Sequence, residues 1–137
     1  MDPLTQGLLG AAAAQAGLQR RVPESIAPKL WWLGALGGMA ADLDILIRAP
    51  GDPMVALTFH RHFTHSLAFV PIGGLLVALP FALRALPEER RSIAAATTVG
   101  YATHALLDAF TSYGTMLWWP FADTRVAWST ISIIDPI

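Results

Sequence analysis

The sequence predicts an all-α fold: an integral membrane helical bundle of about four apolar helices, the N-terminal part of a longer protein, with residues 1–137 forming one membrane-embedded domain. Three observations predict it. Hydrophobic residues make up 54 % of the 137 residues and charged residues only 14 %, against about a quarter in an ordinary soluble domain. Mean hydropathy is +0.48. The apolar stretches are long, rich in Ala, Leu and Gly, and lack the period-two alternation of strands.

Thr5 to Leu18 is small and apolar and reads as a retained helix, because Met1-Asp2-Pro3 lacks the basic start of a signal peptide. At about 21 Å it is short for a full span, which suggests a re-entrant or enclosed helix. Val22 to Pro28 is a polar connector. Leu30 to Ala41 is a second helix, ending in Asp42-Leu43-Asp44. Arg48 to Pro53 is a loop by its Pro and Gly content. Ser66 to Leu83 is nearly free of charge and reads as a third helix of about 27 Å, close to a hydrocarbon core of about 30 Å. Pro71 and Pro80 are tolerable kinks in such a helix, and Ser66 is a candidate N-cap. Leu86 to Ser92 is a charged turn. Ile93 to Phe110 is the fourth helix, interrupted by His104 and Asp108. Thr111 to Thr115 is a turn around Gly114, and Trp118-Trp119-Pro120-Phe121 is an aromatic cluster suited to a membrane interface. The last stretch, Trp128 to Ile137, has no polar tail, which suggests that more hydrophobic segments follow.

Several classes are excluded. A net charge of −1 gives no basic footprint for nucleic acid. The chain has no cysteine, so disulfides and thiolate metal sites are ruled out, and any metal must use His, Asp, Glu or backbone ligands.

Six of the nine basic residues lie in two connectors: Arg20, Arg21 and Lys29, then Arg84, Arg90 and Arg91. The positive-inside bias assigns both to the cytoplasm. Following helix directions from there, Gln6, Asp42, Asp44, His60, His62, His65, His104 and Asp108 all fall at the opposite end of the bundle.

Those residues carry the chemistry. His104 and Asp108 are i and i+4, on one helix face. They suit a shared metal, a carboxylate steadying a metal-bound imidazole, or simply a hydrogen bond within the helix. Asp42 and Asp44 sit at a helix C-terminus, the unfavourable end for negative charge, so a divalent cation, Arg48 or Arg61 must compensate. Three of the four histidines lie in His60-Arg61-His62-Phe63-Thr64-His65. No Glu separates them as in the zincin signature. A surface polar turn is the alternative to metal or acid–base duty. Ser66 shows no oxyanion arrangement that would make it a nucleophile. Imidazoles with carboxylates suit Zn²⁺ first, then Mn²⁺ or Fe²⁺. Such a cation acidifies water, so hydrolysis is the natural reaction. At a bilayer surface, a small-molecule or lipid-linked substrate, or a phosphoester, would be in reach.

Met1 to Gly7, Ala41 to Asp44, His60 to Ser66, Gly100 to Asp108 and Ser112 to Thr115 together resemble the membrane-bound metal-dependent hydrolase family, which includes a LexA-regulated inner-membrane protein. Trp119-Pro120-Phe121 and Ile134-Asp135-Pro136 fit as well. The resemblance covers nearly the whole chain. It implies a multi-pass protein of the bacterial inner membrane, and it marks Asp42, Asp44, His60, His65, His104 and Asp108 as metal ligands or acid–base groups. Two positions depart from the pattern: Gln6 stands where many relatives have His, and Ala41 where many have Pro.

The expected function is therefore a membrane-bound metal-dependent hydrolase. The metal ligands are His60, His65, His104 and Asp108, then Asp42 and Asp44. The catalytic set is Asp42 and Asp44 as bases, with His62 and Arg61 orienting an anionic substrate group. Two rivals are a non-catalytic membrane protein with a structural metal site or ion pathway, and a soluble helical bundle with a rich core.

Overall fold

The computed structural model describes residues 2–47, 52, 54–55 and 59–131. Arg48 and most of the loop around it, the start of the Met1 motif and the Ile134-Asp135-Pro136 motif lie outside the described residues. The chain is helical, with α1 (Pro3–Leu18), α2 (Leu30–Ala40), α3 (Val70–Ala82) and α4 (Arg90–Ala109). Short 3-10 runs at Ala27–Lys29, Ala41–Leu46 and Phe63–His65 join or extend them.

Helix α1 begins where Asp2 accepts a hydrogen bond from the Thr5 amide at 2.9 Å, with Pro3 in the first turn. Both are ordinary start signals. Helix α4 is the hub, packing on α1, α2 and α3. Glycines let three backbones meet there. A Cβ on Gly34 would run into the Gly10 carbonyl, and one on Gly100 into the Gly34 carbonyl. Two hydrophobic cores flank this crossing. One joins Ala14, Ile26, Leu30, Leu33, Ala78, Ile93 and Ala96. The other joins Ala41, Val70, Tyr101, Ala105, Ala109 and Leu117 near the C-terminal end of α4. Polar locks cross the helices too: Thr97 Oγ1 donates to the Gly74 carbonyl at 2.8 Å, and Tyr101 Oη to the Thr64 carbonyl at 2.9 Å.

The expected membrane-spanning bundle is corrected here. Among the described residues, no helix is both long and apolar enough to cross a membrane. The stretch read as one 18-residue helix from Ser66 is shorter, because α3 starts at Val70 and has 13 residues, about 20 Å. The residues before it are spent on turns. Ser66 Oγ donates to the Phe63 carbonyl at 2.8 Å and accepts from the Phe69 amide at 3.2 Å. Ser66 thus closes a turn ahead of α3 and does not cap it. Helix α2 has 11 residues, about 16 Å. Helix α4 is long enough at 20 residues, but it carries Arg90, Arg91, His104 and Asp108. The charge-bias orientation presupposed spans, and these helices do not supply them.

The segment after α4 folds back over the same end. Leu67 N donates to the Leu117 carbonyl at 2.9 Å, and Met116 N to the Arg61 carbonyl at 3.3 Å. Isolated bridges pair Thr115 with Val126 and Thr111 with Ile131.

Candidate metal centre

Consecutive helices run in alternating directions, so the start of α1, the end of α2, the entry to α3 and the end of α4 meet. Gln6, Asp42, Asp44, His60, His65, His104 and Asp108 gather there. Gln6, His65, His104 and Asp108 are fully buried.

Four of these groups converge on one point. Single donor atoms of Asp42, His65, His104 and Asp108 lie within 4.8 Å of one another. His65 Nε2 is 3.0 Å from His104 Nε2. Asp108 Oδ2 lies 3.3 Å from the first and 3.4 Å from the second. Asp42 Oδ1 lies 3.8 and 3.4 Å from them. Four ligands at about 2.0–2.1 Å around a tetrahedral Zn²⁺ have donor–donor edges of about 3.3 Å. The five distances scatter around that edge, so the residues fit a divalent cation.

The outer faces of the rings sharpen the fit. His104 Nδ1 faces the Gly38 carbonyl, which can only accept, so that nitrogen carries the proton. His65 Nδ1 lies 3.0 Å from Thr64 Oγ1 and 3.3 Å from Asp44 Oδ2. The Thr64 hydroxyl is already donated to Asp44 Oδ2 at 3.0 Å, so His65 Nδ1 must donate. Each neutral ring therefore aims the lone pair of Nε2 inward. Two lone pairs at 3.0 Å beside two carboxylates require something positive between them. Carboxylate or carbonyl support behind a metal-bound imidazole is the usual arrangement.

The electrostatics say the same. Burial works against charge on His65, but Asp108, Asp42 and Asp44 outweigh it and push the imidazole up to about 10. Burial opposes charge on His104 too, and Asp108 and Asp42 still raise it. Burial would raise Asp42, Asp44 and Asp108; the imidazoles around each hold all three well below the usual carboxylate range. The cluster is built to hold positive charge, whether a proton or a metal.

The other expected site residues stand further back. Asp44 accepts from the Arg61 amide at 2.8 Å and from His60 Nδ1 at 2.9 Å, so it steadies His65 from behind. His60 bonds Asp44 and is not among the four converging groups. Arg61 is buried; its Nε lies 3.2 Å from Asp108 Oδ2 and its Nη1 donates to Thr111 Oγ1 at 3.1 Å. Its backbone takes a φ of 56°, a left-handed conformation uncommon outside glycine; the same residue gives its amide to Asp44. His62 is turned toward the Phe59, Phe63 and Trp119 rings. Gln6 Nε2 donates to Asp108 Oδ1 at 3.0 Å, while its Oε1 is buried and accepts no hydrogen bond from the described residues.

Sequence reasoning missed Thr64, Thr111, Tyr101 and the Gly38 carbonyl. Thr111 follows Asp108 by one helical turn, and Thr64 adjoins His65, so proximity to the obvious residues was the available signal. Nothing in the sequence marked the Gly38 carbonyl.

A family model described as the YdjM inner membrane protein matches residues 1–137. No curated protein and no solved structure matches the chain.

Proposed function

The chain belongs to the YdjM inner membrane protein family, and from that premise and the geometry of the cluster we propose a metal-dependent hydrolase working at the membrane surface. The observation that carries this reading is the meeting of Asp42, His65, His104 and Asp108 with both inner imidazole nitrogens turned to one point. His65, His104 and Asp108 would hold the ion from inside. A bound divalent cation supplies a Lewis acid that polarises a carbonyl or phosphoryl oxygen and acidifies water.

The chain's own residues have separable duties in this reading. Asp42 is the odd member, with its side chain 22 % exposed while the other three are closed. It faces the side from which water and substrate arrive, and its carboxylate can accept the proton of an attacking water. Asp44 and Thr64 hold the His65 ring, and the Gly38 carbonyl holds that of His104. Arg61 balances the charge of Asp108 and spends its guanidinium there, which leaves His60, 32 % exposed beside Asp44, as the imidazole nearest an incoming anionic group. His62 is packed among the Phe59, Phe63 and Trp119 rings and stands outside the four converging groups.

The exposed apolar side chains fit contact with a bilayer. Leu4, Leu8, Trp32, Ile72, Leu75, Leu79 and Leu83 all stand in the open, more apolar surface than an isolated domain normally shows.

A structural metal site is the second reading. Four protein donors fill a tetrahedral sphere, and closed spheres are typical of structural zinc. Metal analysis of detergent-purified protein, followed by a panel of phosphodiesters and carboxylic esters, decides between them. Bound metal with turnover that disappears in Asp42→Asn supports the hydrolase. Bound metal without turnover supports the structural site. Absence of metal from both wild type and a metal-soaked sample overturns both.

A further inference from the structure

The exposed edge of the cluster opens into a groove of about 1020 Å³ between α2 and α3. Leu36, Met39, Ala40, Leu76, Val77 and Phe81 supply much of its wall. Its polar residues, Asp42, Asp44, His60, Arg61 and Thr64, belong to the metal-centre end of the fold. Along α3 the lining runs from Phe69 to Phe81, about 18 Å at 1.5 Å per residue. The shape is that of a long apolar trough with chemistry at its mouth.

We propose that this groove seats the hydrocarbon chain of a membrane amphiphile, with an ester-bearing head group at Asp42 and His60. The proposal deepens the hydrolase reading by naming its substrate class, and it rests on that reading for the head group's fate alone. Three observations point to this occupant. His65, His104 and Asp108 are fully buried, whereas Asp42 and His60 are partly open and both line the groove, so a molecule in the groove is already at the cluster's accessible edge. An extended peptide is a poor occupant, because helical walls offer few free backbone partners, the Leu76 carbonyl ahead of Pro80 being the exception, and most of a peptide's own amides would be buried unmet. A hydrocarbon chain has no such need. Finally, Leu43 and Ile45 line the groove and are themselves exposed, and the family is one of inner membrane proteins, so bilayer lipid is the source at hand.

The test uses detergent-solubilised, metal-loaded protein and a lysophospholipid with a photoactivatable group in its chain. Cross-linked residues are identified by mass spectrometry. Leu76 lines the groove and is 59 % exposed; Leu75 is 56 % exposed on the same helix and does not line it. Both tolerate a polar substitution without disturbing a core. Wild type should label at groove residues such as Met39, Leu76 and Phe81. Leu76→Lys should weaken labelling about tenfold, and Leu75→Lys should leave it unchanged. Labelling spread evenly over the exposed leucines of α1, or lost equally in both variants, overturns the groove. His104→Ala should lose metal yet keep the label. Groove labelling without ester cleavage by wild type retains the chain seat and removes the hydrolase; cleavage of water-soluble esters without groove labelling does the reverse.

Discussion

His65 Nε2 and His104 Nε2 face each other at 3.0 Å, and the second nitrogen of each ring is already committed to an acceptor. Two neutral imidazoles so oriented repel. The pair is stable only with a cation between the rings or an extra proton on one of them, and the Asp42 and Asp108 carboxylates favour either.

The first concerns Asp44, which supports His65 without being one of the four converging groups. Asp44→Asn removes the charge behind His65 Nδ1 and offers an amide that can present the wrong group. Metal affinity should fall about 10–100-fold, the usual effect of losing such a supporting partner. Chelator competition on purified protein reads this directly. An unchanged affinity would mean that His65 is not oriented through Asp44.

The second concerns pH. With metal removed by chelation, His65 binds its proton more tightly when folded, its imidazole being raised from an ordinary 6.5 to about 10. A raised folded value stabilises the fold fully below the unfolded value, and that stability is lost as pH climbs through the folded one. Metal-free protein should therefore lose stability between about 6.5 and about 10. Metal binding must displace the same proton, so metal affinity should rise with pH over the same interval. Thermal melts and metal titrations at several pH values check both slopes. A metal-free protein that grows more stable across that range would contradict the protonated pair.

Much of this site is legible in the sequence. The i, i+4 pair His104 and Asp108, the carboxylates after α2 and the imidazoles before α3 are local patterns. Their meeting follows from alternate helix direction alone, which is why the convergence holds although the membrane spans behind it do not. The spans failed because hydropathy counts residues and does not see turns. Ser66 to Phe69 reads as the first turn of a helix, yet it folds as a turn between the 3-10 run that holds His65 and the start of α3. The division of labour was not legible either. His60, Asp44 and His65 look equivalent as ligands in a string, and only the side-chain directions set His65 in the cluster and the other two behind it.

The third prediction separates the glycines. Gly34 meets the Gly10 carbonyl across the α1–α2 contact, whereas Gly17 has nothing near the position of an added Cβ. Gly34→Ala forces backbone against backbone and should cost about 1–3 kcal/mol, the range for overpacking. Gly17→Ala lies within α1 and should stabilise by about 0.4–1 kcal/mol through the unfolded chain. Opposite shifts in melting temperature would establish that the helix crossing, rather than helix propensity, governs these sites.

The fourth sets two histidines three residues apart against each other. His65 is fully buried with Nε2 in the cluster. His62 packs beside Phe59, Phe63 and Trp119. His65→Ala should abolish stoichiometric metal, because it removes one inner donor and leaves His104 to face the carboxylates alone. His62→Ala should keep full metal content and lose only aromatic packing, with a modest fall in melting temperature. Metal analysis of the two variants beside wild type is sufficient. Equal loss from both would place His62 at the ion and require the Phe59–His65 turn to rearrange when metal binds; equal retention would remove His65 from the ligand set and leave its buried Nε2 to a proton shared with His104.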